Sequence, residues 1–353
     1  MGYAFFVLIA IFALLMIPFS ASAAQGAAEG MRVFSQDMLP VLFPFMVCAG
    51  CVTNSPLFPR ISSLPRPLSG FAAAVSCALF GTPSSAMFFG RLSELGLIDT
   101  RRSSFLCGLL NLSGPLFIIS VLSERFFGLR AAALSFAAAH YLPPLLIALP
   151  LCSFGSNGTA ALSRRSAPAV FTEAVSASVI NSLRVGGTVV FFFVVHAVLY
   201  ETAALTRIPE IIPDSLSAVL EMTGGLSIFS GELTRASAMI CSAILSFGGL
   251  CLFLQAKLVF PKLRAGWYFA AKLASATLSA AMMYCIYPLL FQSLAVFSFE
   301  GDSLGAIDAN AVPKALSLLG FLGSASAAIV IALIISCAFD KKRGAAFRQP
   351  RER

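Results

Sequence analysis

Apolar positions along this chain fall in long blocks, and charged residues close each block instead of alternating with it. Charge-free runs cover Gly2–Ala28, Met38–Pro59, Pro67–Gly90, Ser103–Ser123, Ala131–Ser163, Val185–Tyr200, Ala236–Ala256, Leu273–Phe299 and Ala315–Phe339. Most reach the roughly 20 residues that a helix needs to span about 30 Å of hydrocarbon. Val185–Tyr200 is shorter, with Glu201 placed for an interfacial end. The pattern predicts an all-α polytopic membrane protein with the lipid bilayer as its surroundings. Composition agrees: 58% of the 353 residues are hydrophobic, 11% are charged, and mean hydropathy is +0.89. A soluble domain keeps roughly a quarter of its residues charged.

Polar breaks occur at four places, three of them inside these blocks: "GTPSSA" (81–86), "NLSGP" (111–115), "EMTGG" (221–225) and "SFGG" (246–249). They recur in order. Shifting the chain by 135 residues sets Asn111 opposite Ser246, and Ser113-Gly114 opposite Gly248-Gly249. Upstream, "GTPSSAMFFGRL" (81–92) matches "MTGGLSIFSGEL" (222–233), with Thr82 opposite Thr223. Two matches in the same order, with the same kinds of polar residue, point to an internal repeat. Each copy reads as an amphipathic lead-in, "AAEGMRVFSQDML" (27–39) or "FTEAVSASVINSL" (171–183), followed by a crossing, a broken segment and a crossing with a polar interruption. The broken segments, turning at Gly81-Thr82-Pro83 and around Thr223-Gly224-Gly225, are expected to be re-entrant hairpins, with a kinked span as the plainer alternative.

If the hairpins do not cross, three full spans separate the two copies, and an odd number inserts the second upside down. The expected layout is about eight crossings and two hairpins. Residues 1–26 form a first helix, 27–160 repeat 1, 161–295 repeat 2, 296–340 an acidic loop and last helix, and 341–353 a basic tail. The apolar start is expected to stay as a helix, since no Lys or Arg precedes it as in a secretory signal.

Charge refines this picture only in part. The tail "DKKRGAAFRQPRER" holds six Lys or Arg within a net charge of +8. Directly after an apolar span, it reads as a cytoplasmic anchor and not as a nucleic-acid surface. The layout places 16 Lys or Arg on the tail's side and 6 opposite, which favours a cytoplasmic tail but does not decide the hairpins. "CAGC" (48–51) lies inside a helical run and reads as small-residue packing. His140 and His196 lack partners at metal-ligand spacing and read as packing residues with a hydrogen-bond partner.

Backbone that leaves helical geometry in lipid exposes N–H and C=O groups at several kcal/mol each, so it must be buried in protein or line a wet cavity. Four breaks satisfy this by converging. The expected binding centre comprises Thr82, Ser84, Ser85, Asn111, Ser113, Gly114, Glu221, Thr223, Gly224, Gly225, Ser246, Gly248, Gly249 and Gln255. Arg184 and Lys272 are candidates for drawing in an anion, with interfacial snorkelling as their plain alternative. For any single small residue, close helix packing explains the choice as well. No catalytic motif stands out, so an enzyme is not expected, nor a resident cofactor or metal. A coupling Na+ or H+ and the oligomeric state, a homo-oligomer included, stay open.

At "GTPSSA", "LNLSGPLFII", "AHYL" (139–142), "LEMTGG" (220–225) and "SFGGLCLFLQ", the chain resembles the YlbJ-type sporulation integral membrane proteins. These belong to the Gate-domain superfamily, with concentrative nucleoside transporters and the membrane part of FeoB. Ser85, Leu112 and Gly224 stand where that pattern carries Gly, Asn and Asn. The resemblance implies transport of a small polar, anionic metabolite by alternating access, dipicolinate in sporulation, across the membrane around the forespore. A non-transporting scaffold for spore-envelope assembly, and a nucleoside-type or metal-ion carrier, are the competing expectations.

Overall fold

The computed structural model describes residues 2–55, 68–151, 166–231 and 233–297. The expected last helix and basic tail, and nearly all of the acidic loop, lie outside the described residues. Regular structure among the described residues is helical throughout, with no strand. Five helices are long and apolar enough to cross a membrane: Ser20–Asn54, Ala133–Leu151, Ala167–Thr206, Arg235–Val259 and Ala265–Pro288. The chain is a multi-pass membrane protein.

In chain order, α1 is Gly2–Met16 and α2 is Ser20–Asn54, which contains a π-wound stretch at Val33–Met38. The first helix therefore closes earlier than the expected residue 26. Next come α3 (Leu68–Phe80), α4 (Ser84–Glu94), α5 (Thr100–Leu110), the π-wound α6 (Phe117–Phe126) and α7 (Ala133–Leu151). The second half holds α8 (Ala167–Thr206), α9 (Ile211–Leu220), α10 (Met222–Ser227), α11 (Arg235–Phe247), α12 (Gly249–Val259) and α13 (Ala265–Phe297). Both amphipathic lead-ins are absorbed into the continuous helices α2 and α8, since neither carries a residue that would end a helix.

Long helices α2 and α8 run antiparallel along a seam of small residues. Gly26 lies against Phe193 and Ala197, Gly30 against Val190 and Phe193, Gly186 against Phe34, and Gly50 against Ala174. A Cβ at Gly26 would stand 2.7 Å from the Phe193 carbonyl oxygen, so only glycine admits this approach. Close backbone contact of this kind drives helix pairing where lipid removes the hydrophobic incentive.

The last described helix orients the rest. Ser104 and Gly108 of α5 meet Arg264 and Tyr268, so α5 and α13 run parallel. Arg235 donates to the Tyr284 carbonyl and Ser279 to the Ser242 carbonyl, so α11 runs antiparallel to α13. It follows that α5 and α11, the helices matched by the sequence repeat, point in opposite directions.

Candidate functional site

Each break has a local cause. Phe80 ends α3, Gly81 adopts φ +66°, and α4 restarts at Ser84 after a cis Thr82–Pro83 bond. Helix α5 stops at Leu110, and Asn111 to Gly114 stay unwound before the chain turns helical again. Gly248, at φ +77°, separates α11 from α12. The remaining break differs from the sequence expectation. It falls at Glu221, extended at φ −142° and ψ 126°, while Thr223, Gly224 and Gly225 are helical. The Glu221 carboxyl oxygen accepts the Gly224 N–H at 2.6 Å and caps α10, so this side chain, not the glycines, makes the interruption. There the chain doubles back. A Cβ on Gly225 would lie 2.5 Å from the Ala218 Cα, whereas seven residues of straight helix separate two positions by about 10 Å.

All four breaks are buried, and each touches at least one other. A Cβ on Gly81 would meet the Gly114 nitrogen at 2.9 Å, and one on Gly249 the Leu220 oxygen at 3.0 Å and the Glu221 nitrogen at 3.2 Å. Ser85 donates to the Asn111 side-chain oxygen at 2.6 Å, and Asn111 Nδ2 donates to Tyr268 Oη at 3.0 Å. Ser113 Oγ points at Met222 Sδ, 3.4 Å away, which joins the first copy's unwound stretch to the second copy's tip.

Neighbouring residues of α7 make the unwound stretch tolerable. The Ser113 N–H donates to His140 Nε2 at 3.0 Å, and Tyr141 Oη donates to the Ser113 carbonyl at 2.6 Å. Because Nε2 accepts, the neutral ring carries its proton on Nδ1, which donates to Ser246 Oγ at 2.8 Å. His140 thus bridges the crossings of both copies. The ammonium of Lys272, itself only 1% exposed, donates to the Asn111 carbonyl at 2.6 Å and reaches the Ser246 carbonyl at 3.3 Å.

Several buried polar atoms at the centre remain unpaired. Ser84 Oγ, Thr223 Oγ1 and Glu221 Oε1 have no hydrogen-bond partner among the described residues. The Thr223 hydroxyl and N–H both face the Glu221 carboxyl group. Unpaired buried groups cost about 1–3 kcal/mol each, and Ser84 Oγ is one of them at the first copy's tip. Gly114 is buried, yet an added Cβ would find nothing within 4 Å. There is open space inside the centre.

Not every predicted residue joins it. Arg184 is exposed on α8, where its guanidinium reaches Asn181 at 3.4 Å, one turn back. Arg184→Ala is therefore expected to leave melting within about 0.5 kcal/mol of wild type, as surface changes do. Gln255 is buried but braces α12 against α8 through Thr188 at 3.2 Å. Gly225 and Gly249 serve close approach. Among the described residues, no three His, Cys, Asp or Glu side chains gather to hold a metal.

Sequence reading missed His140, Tyr141, Tyr268 and Met222 as members of the centre. Tyr268 and Lys272 stand four residues apart on one helix face, a spacing that was there to be read. The roles of His140 and Tyr141 depend on tertiary contacts that no spacing announces.

The chain is similar to the sporulation integral membrane protein YlbJ of Bacillus subtilis, strain 168. The two are 24% identical over 319 residues, covering 76% of this chain and 78% of that protein. This bears out the YlbJ-type resemblance. No family model matches the chain, so the Gate-domain assignment gains no support from one. No solved structure matches it either.

Proposed function

We propose that this protein is a carrier that moves a small polar molecule through the membrane by alternating access, with its cargo held where the four breaks meet. The observation that carries the reading is the buried centre itself: open space beside Gly114, where breaks carrying the buried polar residues Ser84, Thr223 and Glu221 come together. A centre built only for packing has no use for open space.

The layout fits this reading. Carriers of this kind are assembled from inverted repeats, with broken helices meeting near the midplane. The antiparallel pairs α2/α8 and α5/α11 support an inverted repeat, and the reversal at Glu221 supports a re-entrant hairpin. Eight crossings and a cytoplasmic tail remain part of the proposal. The buried carboxyl group of Glu221 suits a cargo that carries a hydrogen-bond donor, and the anionic character of the cargo rests on the resemblance alone. By resemblance, dipicolinate is the first cargo to try, with nucleosides and metal ions as comparisons. The similar protein's role in sporulation makes the forespore membrane the location to examine.

Gly114→Leu tests the reading because its Cβ enters this space with no atom within 4 Å and the rest of the side chain occupies it. Counterflow of labelled dipicolinate or nucleoside into proteoliposomes should be measurable for wild type. It should fall at least tenfold for Gly114→Leu, while melting temperature holds or rises. Flux unchanged in the filled variant, or absent for every cargo with folded wild type, sinks the proposal and leaves a scaffold role.

A further inference from the structure

Lys272 sits where two helices from opposite copies both end. The Asn111 carbonyl is at the C-terminal cap of α5, and the Ser246 carbonyl is in the last turn of α11. Each such end carries about half a negative charge on carbonyls that have no partner further along the helix. In carriers built from broken helices, half-helix C-terminal ends and unwound carbonyls are the groups that coordinate a coupling cation. Here the ammonium Nζ already occupies that place, at 2.6 Å and 3.3 Å from the two oxygens.

We infer that Lys272 is a tethered counter-ion, a built-in cation that neutralises both helix ends and replaces a metal cation at this junction. Three observations agree. The ammonium is sealed from solvent, and both of its hydrogen bonds go to backbone carbonyls. No ion pair joins Lys272 to a carboxylate among the described residues. The Tyr268 ring lies one turn away with its centroid 5.9 Å from Nζ, and its hydroxyl is occupied by Asn111. A buried ammonium without a carboxylate needs compensation from fixed dipoles, and these two helix ends supply it.

The inference concerns the charge balance of the centre and depends on the carrier reading only for its transport consequence. That consequence is specific: movement of the two copies past each other must carry the ammonium with one end or the other, and no sodium ion is needed here. The shorter bond assigns it to α5.

Thermal melting of the purified full chain tests the idea without knowing the cargo. Wild type should melt at one temperature in sodium, potassium and choline chloride at equal ionic strength. Lys272→Ala should melt several degrees lower in choline and recover in graded fashion as ethylammonium is added, while ethanol of similar size restores nothing. Lys272→Met, which keeps the volume and loses the charge, should melt low as well. Saturable stabilisation of wild type by sodium would overturn the inference. So would Lys272→Met melting like wild type, or equal rescue of Lys272→Ala by ethanol, since either makes the side chain a packing device. If neither variant can be purified, the wild-type sodium series decides. Failure of the carrier reading looks different, as an absence of flux with this melting pattern intact.

Discussion

Gly249→Ala is expected to be among the most damaging single-methyl additions in this chain, costing roughly 2–5 kcal/mol. The backbone there sits at φ +76°, which a side chain resists by about 1–2 kcal/mol. The new Cβ would also press on the Leu220 carbonyl at 3.0 Å and the Glu221 nitrogen at 3.2 Å. Overpacking of that kind adds about 1–3 kcal/mol. Gly81→Ala belongs to the same class, with φ +66° and the Gly114 nitrogen 2.9 Å away. Gly114→Ala is the control: it meets nothing within 4 Å and should melt within about 0.5 kcal/mol of wild type. Melting curves in one detergent, read for all three, check the ranking. Equal melting of Gly249→Ala and Gly114→Ala would mean that the tip of one segment and the break of the other are not in contact.

The second large effect is expected at His140. Truncation to alanine leaves the Ser113 N–H buried and unpaired, at about 1–3 kcal/mol. It also leaves a cavity at a fully buried position, for a total of roughly 3–5 kcal/mol. Flux should be lost even at temperatures where the variant stays folded, because Ser113 and Ser246 are no longer tied to one ring. His196→Ala makes the comparison informative. That ring is half-buried and stacked on Tyr200 with centroids 4.4 Å apart, so its removal should cost about 1 kcal/mol. If the two variants prove equally mild, His140 is not the bridge between the two copies.

These residues also show where sequence reading succeeds and where it stops. Breaks at Gly81, Asn111 and Gly248 were legible because Gly and Pro, or an amide and a hydroxyl inside an apolar block, are local signals that helices obey. The repeat was legible for the same reason, since it repeats those signals. The break at Glu221 was misplaced by two residues: the glycines looked like the turn, but a carboxyl group that caps its own helix decides the position. Membership of the centre was only half legible. Asn111 and Ser85 declare themselves as polar groups in hydrocarbon, whereas Arg184 has the same chemistry and sits outside. His140 looked like ordinary packing, and its distinction is that the backbone it satisfies is the unwound stretch itself. The choice between attracting an anion and compensating helix ends, at Lys272, rests on which oxygens lie within 3.3 Å.

Helix α8 has 40 residues, close to 60 Å of rod at 1.5 Å per residue, against about 30 Å of hydrocarbon. It cannot stand upright with both ends covered by lipid tails, so it must lean steeply or emerge. Bound to α2 through Gly26, Gly30, Gly50 and Gly186, it does so as half of a double beam. The angle of that beam is then fixed jointly by its own stiffness and by how thick a sheet of lipid surrounds it.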